Sequence, residues 1–379
     1  MDFDLTEEQR LLRDSVDRLM ADNYTFEKRR GYLSEAEGWS RALWSQYAEL
    51  GLLGLPFAET HGGFGGGGVE TMLVMEAFGR TLALEPYLAT IVLAGTALRL
   101  AGNDTQQSTL LPQVAAGEKL LAFAHGERQA RYDLPDVLTK ATRKGEGWII
   151  DGAKSVVLHG DSADALIVSA RTGGDRNDTA GITLFLVDGS ANGVARRSYA
   201  LRDGNRAAEI ALSGVEVGSD AVLGEIDGAF PVIERVVEAG IAAMAAEAVG
   251  AMETMQAMTL EYLKTRQQFG QPIGRNQALQ HRATEMFVAL EQGRSLAMLA
   301  AMTIDEPDAA ERARNISMVK AGIGQAARFV SQNAVQLHGG IGMTEEYAVG
   351  HYFRRVMVIE HTFGDTAHHL SRLAREAGS

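Results

Sequence analysis

From Ile233 to Lys264 the chain runs without proline and with only two isolated glycines, Gly240 and Gly250. Ala, Met, Glu, Val and Leu dominate this stretch, and most of these are strong helix formers. The pattern predicts one long apolar helix around which the rest of the chain is organised. It ends in a charged turn, Lys264-Thr265-Arg266, where cations suit the negative end of the helix dipole. Phe269-Gly270 and Pro272 then stop it. Close behind the stop stand Arg266, Phe269 and Gln277. A guanidinium, an aromatic ring and an amide so placed can grip a phosphate, stack on a flat ring and bond a polar edge. They can also be no more than a helix-end cation and loop anchors.

The chain order gives the frame. Thr6 followed by Glu7-Glu8 marks a helix start, and Leu11, Leu12, Val16, Leu19 and Met20 keep a helical period. Further helices are expected over Trp39–Leu50, Val69–Leu82, Pro86–Ala101 and Thr105–Ala116. Between the first and second of these lies the glycine-rich LGLLGLPFAETHGGFGGGG, which lacks the Lys-Ser/Thr of a P-loop. From Leu120 to about Gly224 short β runs alternate with Gly/Asp turns, the spacing of a small β-barrel or sandwich and not of a Rossmann fold. Helices return at roughly 230–268, 276–303, 307–337 and 344–374, which read as an antiparallel bundle. The expected fold is α+β in three domains: helical 1–118, β 119–226, and a four-helix bundle over 227–379.

Charge and composition narrow the classes. A net charge of -13 disfavours nucleic acid as a partner. The absence of cysteine removes disulfides, thiolate metal sites and cysteine nucleophiles. The polar, acidic N-terminus has no leader pattern, and no apolar run reaches the ~20 residues of a membrane span, so a cytoplasmic chain without a membrane partner is expected. His338, His351, His361, His368 and His369 give no metal-ligand spacing with nearby acids and are expected at surfaces or interfaces.

The order of elements and five strings together resemble the acyl-CoA dehydrogenase family. The strings are FDLTEEQRLLRDSV, LGLLGLPFAETHGGFGG, LLPQVAAGEKLLAFA, YLKTRQQFGQPIGRNQALQ and AVQLHGGIGMTEEY. The resemblance implies FAD between the β domain and the bundle, with each flavin's ADP half held by the neighbouring subunit, and an acyl-CoA substrate. It assigns Arg266 to the pyrophosphate, Phe269 to the adenosine half and Gln277 to a polar edge. Gln336, Gly339 and Gly340 would let backbone approach the ADP.

Departures from the family fall on the catalytic side. Its chemistry needs a carboxylate to take an α-proton as hydride leaves for the flavin. One family position for that Glu is here Phe363, before Gly364. The other is Gly240, followed by Ile241. Glu247 and Glu360 are the substitutes at hand; otherwise each is a helix-surface or inter-subunit carboxylate. On the ring side, FAHGERQARYD puts Gly126 where the family has Thr, with Glu127 retained. Lys154-Ser155-Val156-Val157-Leu158 lacks the family's aromatic and hydroxyl. Neighbour-side groups are kept and catalytic ones lost. The chain therefore resembles the small subunits of two-subunit acyl-CoA dehydrogenases, those acting on pimeloyl-CoA and in bacterial steroid side-chain degradation. That implies a large catalytic partner subunit in a heterotetramer. The alternatives are a catalytic homotetramer with a relocated Glu, or a flavin-free structural homologue.

Overall fold

The computed structural model describes residues 4–378. Met1–Phe3 and Ser379, which fall within the first string and the outer domain bounds, lie outside the described residues. In chain order the helices of the first part are α1 (Glu7–Asn23), α2 (Phe26–Tyr32), α3 (Arg41–Glu49), α4 (Gly68–Thr81), α5 (Gly95–Ala101) and α6 (Asp104–Ala115). A π-helical segment, Leu88–Ala94, runs directly into α5. Eight strands follow: β1 (Leu121–Ala124), β2 (Lys140–Lys144), β3 (Gly147–Leu158), β4 (Ala165–Arg171), β5 (Ile182–Asp188), β6 (Val194–Ala200), β7 (Arg206–Val217) and β8 (Val222–Leu223). Then come α7 (Phe230–Thr265), the short strands β9 (Gln267–Gln268) and β10 (Gln271–Pro272), α8 (Gln277–Thr303), α9 (Ala309–His338), α10 (Val349–His361) and α11 (Thr366–Ala377).

The chain forms two compact units. One comprises residues up to Gly31, Gly67–Ala83 and Ile241 onward; the other comprises Tyr32–Gly66 and Leu84–Gly240.

In the first unit α1 opens with the expected Thr6, whose hydroxyl accepts from Gln9 N while the Gln9 side chain accepts from Thr6 N. The tightest joint is the crossing of α4 and α7. A Cβ built on Gly79 would stand 2.0 Å from the Glu247 carbonyl oxygen, and one on Gly250 would stand 2.0 Å from that of Glu76. Each helix thus presents a glycine to the other's backbone. Arg80, beside that contact, bonds Asp17 of α1 (2.5 Å), Glu76 (2.9 Å) and Glu253 of α7 (3.1 Å). Its carbonyl accepts from Thr254 Oγ1 at 3.0 Å and from the Tyr352 hydroxyl. The region expected as one helix over 344–374 is two. α10 ends at His361, Phe363 and Gly364 take positive φ (60° and 101°), and Asp365 caps α11 by accepting from His368 N.

In the second unit the strands form one eight-stranded sheet in the order β6-β7-β3-β2-β4-β5-β8, with β1 alongside β4. The pairing is mixed: β1 and β2 each run parallel to β4. Every residue of β4 is buried, which fits a strand covered on both faces. Trp148 and Phe185, in edge contact at 5.5 Å, centre the apolar core with Ile150, Leu166, Val168 and Ile210. The same interior holds charge. Lys154, fully buried, donates from Nζ to Glu127 Oε1 (2.7 Å), Ser169 Oγ (3.0 Å) and the His125 carbonyl (3.2 Å). Glu127 also accepts from Gln129 Nε2, Leu138 N and Thr139 N. Burial alone would raise the Glu127 carboxyl, but the Lys154 ammonium and these donors overcome it and hold the group down at about 2.

Two predictions follow from these joints. Gly79→Ala and Gly250→Ala should destabilise by roughly 1–3 kcal/mol through forced separation of packed backbones. At an unpacked helix position the same change would stabilise by up to about 1 kcal/mol, so the sign of the shift in thermal unfolding midpoint decides. Glu127→Gln should cost about 3–5 kcal/mol at pH 7 by leaving Lys154 buried without its counter-charge. Because folding lowers the Glu127 pKa, its contribution is complete above the unfolded value near ~4.3 and is lost as pH falls toward ~2. Unfolding curves of wild type and variant should therefore converge as pH drops from about 4 toward about 2.

Candidate functional site

α7 stops at Thr265, and the chain turns back at once in a two-residue hairpin. β9 pairs with β10 from Gln268↔Gln271 to Gln267↔Pro272, and Ile273 N donates to the Arg266 carbonyl at 2.9 Å. The turn residues Phe269 (φ 55°) and Gly270 (φ 78°) both lie in the left-handed region, as a type I′ turn requires. Glycine takes that conformation freely, but a bulky residue there is strained. Phe269 is nonetheless 99% exposed. Phe-Gly is not a usual turn pair, so the sequence pattern gives no signal for this hairpin.

Arg266 is exposed and makes no ion pair among the described residues. Gln277, the first residue of α8, is exposed as well. At the end of α9, Gln336, Gly339 and Gly340 are exposed, and Gly339 caps the helix with φ 66°. A Cβ on either glycine would meet nothing within 4 Å. The ends of α7 and α9 are held together by Tyr262 and His338, whose rings lie 4.5 Å apart. The structure thus leaves all six predicted nucleotide-side residues open to solvent, on element ends of one unit. This edge fits the ADP half of a flavin: a free guanidinium, an exposed ring and an open glycine pair.

The ring side of the β domain does not fit. Lys154 pairs with Ile210, whereas Val157 pairs with Ala208, so β3 carries one extra residue and bulges at Ser155-Val156. Val156 takes φ 52° and is 53% exposed. Glu209 fastens the bulge by accepting from Ser155 Oγ (2.9 Å), Val156 N (3.3 Å) and the Tyr199 hydroxyl (2.8 Å). Ser155 N in turn donates to the Gly126 carbonyl at 2.8 Å. The position assigned to a covering aromatic, Val156, lies in this pinned bulge, and the one assigned to a hydroxyl is Leu158, paired in the strand with Ala207.

Neither substitute carboxylate is on a surface, contrary to the simpler expectation for them. Glu247 is 3% exposed, and both its oxygens accept from Arg355, Oε1 from Nε and Oε2 from Nη2, each at 2.6 Å. Glu360 is 2% exposed and accepts through Oε1 from Arg328 Nη2 (2.9 Å), Thr366 N (3.1 Å) and Thr366 Oγ1 (2.8 Å). Lys320 donates to the carbonyls of Ile359 (2.6 Å) and Glu360 (3.0 Å). Burial brings its ammonium down to about 8 despite nearby Glu360. Phe363 is held by its carbonyl, which accepts from His369 Nε2 at 2.9 Å. Burial lowers His369 to about 4, so the ring is neutral at physiological pH.

Of the histidines expected at surfaces or interfaces, His361 is exposed and His368 half-buried, but three others depart from that expectation. His338, His351 and His369 are buried and bonded within the chain, not displayed at a surface. Among the described residues no three His, Asp or Glu side chains gather as metal ligands. Nor is any helix long and apolar enough to cross a membrane among them.

Comparison with known proteins accords with this arrangement. The acyl-CoA dehydrogenase N-terminal, middle and C-terminal domain models match residues 6–118, 122–215 and 230–378. Acyl-CoA dehydrogenase FadE12 of Mycobacterium tuberculosis is 30% identical over 91% of this chain and 89% of its own length. The ChsE4-ChsE5 complex from Mycobacterium tuberculosis superposes with a TM-score of 0.89 at 27% identity, covering 100% of this chain and 99% of the other. A variant of the Tcur3481-Tcur3483 steroid ACAD gives a TM-score of 0.88 at 29% identity, over 98% and 99% of the two chains. The chain therefore belongs to the acyl-CoA dehydrogenase family, whose members are FAD-dependent oxidoreductases acting on the CH–CH bond of acyl-CoA.

Proposed function

We propose that this chain is the non-catalytic small subunit of a two-subunit acyl-CoA dehydrogenase, lending nucleotide contacts to FAD held in a larger partner. The observation that carries this reading is the state of the base positions. Gly240 and Phe363 have no carboxylate, Glu247 is bound to Arg355 through both oxygens, and Glu360 is bound to Arg328 and Thr366 through Oε1 with its Oε2 enclosed in the interior. The bulged β3 strand supports it further, as do the two-chain names of the ChsE4-ChsE5 and Tcur3481-Tcur3483 relatives. FAD, when bound in this family, supplies the hydride acceptor.

This chain's own residues then act by binding. Arg266 offers paired N–H donors and a fixed charge to the pyrophosphate. Phe269 covers the adenosine half and Gln277 bonds a polar edge. Gln336, Gly339 and Gly340 admit the nucleotide close to backbone. The sequence divides for this purpose into domains 1–118, 119–226 and 227–379. The substrate of the assembly is an acyl-CoA, and its compartment is the cytoplasm.

A tag on this chain should draw out a second, acyl-CoA dehydrogenase-like polypeptide that has Glu at a base position. Mass spectrometry and flavin absorbance should give fewer than one FAD per chain. A homo-oligomer with one FAD per chain and full turnover would overturn the proposal. Glu247→Gln and Glu360→Gln should lower the unfolding midpoint, because each leaves a buried cation or donor without its partner, at a cost of roughly 1–3 kcal/mol or more. Turnover of the folded assembly should stay within about twofold, since neither group touches substrate; a thousandfold loss, the upper range of losing a proton-transfer group, would identify a base.

A further inference from the structure

Tyr262 and His338 do more than pack the bundle. Tyr262 lies one helical turn before Arg266, whose N–H donates to the Tyr262 carbonyl at 2.9 Å. His338 immediately precedes Gly339. The imidazole sits between two rings, 4.5 Å from Tyr262 and 5.1 Å from Tyr347. It is buried, and both nitrogens are engaged. Nδ1 donates to the Ala334 carbonyl at 2.8 Å, which leaves Nε2 as acceptor for the Tyr347 hydroxyl at 3.2 Å. One side chain thereby fixes the exit of α7, the exit of α9 and the start of the segment leading to α10. Burial favours the neutral ring and lowers its pKa, against the carbonyls of Ala334 and Met258, which favour the protonated one.

We propose that His338 is the positioning residue of the nucleotide edge: its clamped ring holds the Arg266 hairpin and the Gly339-Gly340 loop in fixed relation, so that both meet one ADP moiety. The assignment rests on the nucleotide-side reading of Arg266 and Gly339. Two exposed loops that must act on a single ligand lose affinity when their mutual placement loosens, even though each keeps its own groups. His338 touches no ligand; it acts through its neighbours.

The assembly purified through a tag on this chain, stripped of flavin and titrated with FAD by fluorescence, provides the test. His338→Ala should raise the Kd for FAD about tenfold and speed backbone hydrogen exchange in both Gln267–Pro272 and Gly339–Met343. His338→Phe, which keeps a ring between the tyrosines, should bring the Kd back to within about threefold of wild type. Arg266→Ala should weaken FAD without changing exchange in Gly339–Met343. A wild-type Kd in His338→Ala alongside a weakened Arg266→Ala would overturn the positioning role alone. So would a His338→Phe variant as weak as His338→Ala. A wild-type Kd in Arg266→Ala would instead bring down the nucleotide-side reading on which the role rests.

Discussion

The crossing of α4 and α7 leaves no room for a side chain, and much of the first unit follows from that. Two helices whose backbones meet through Gly79 and Gly250 bury their peptide groups against one another. The glycine cost in helix propensity is offset by dense packing along both elements. Close approach also brings Arg80 within reach of carboxylates on α1, α4 and α7, so one guanidinium ties three helices beside the joint. With α7 so fixed, its C-terminal turn delivers Tyr262 to His338, and the hairpin beyond it has a defined origin.

Three bulky residues in the left-handed region make an instructive set: Val156, Phe269 and Phe363. Each costs of order 1–3 kcal/mol in backbone strain, which persists only where surroundings enforce it. At Val156 the enforcing group is the Glu209 carboxylate, and at Phe363 it is the His369 ring. Both lie where the family places ring contact or base, and both are secured from within this chain. At Phe269 the β9–β10 pairing fixes the turn, but the ring itself projects almost wholly into solvent. An aromatic held out at such cost suits a surface that is completed by something else. The strain is enforced from within the chain at Val156 and Phe363 and faces outward at Phe269.

Much of the fold could be read directly. Helical periodicity and the Thr6 cap give α1, and Gly/Asp-punctuated runs give most of the strands. What failed had physical causes. The α10–α11 break turns on Phe363, a residue whose type announces nothing about positive φ. The parallel pairing of β1 and β2 with β4 depends on sequence-distant partners that strand spacing does not encode. The β3 bulge is invisible because Ser155 and Val156 are ordinary strand residues, and only their register against β7 exposes the extra one. Of the histidines expected outside, His338, His351 and His369 are buried because each finds a carbonyl, an aromatic neighbour or both, whereas His361 is exposed.

The sequence by itself determined which groups exist: Arg266, Phe269, Gln277 and the glycine pair, and no carboxylate at 240 or 363. Those facts need no coordinates, since a missing functional group cannot be restored by folding. Only the tertiary structure decided what the remaining carboxylates do. Glu247 meets Arg355 from 108 positions away, and Glu360 meets Arg328 on another helix. A carboxylate's chemistry depends on which donors desolvate and neutralise it, and those donors are assembled by packing, not by order along the chain.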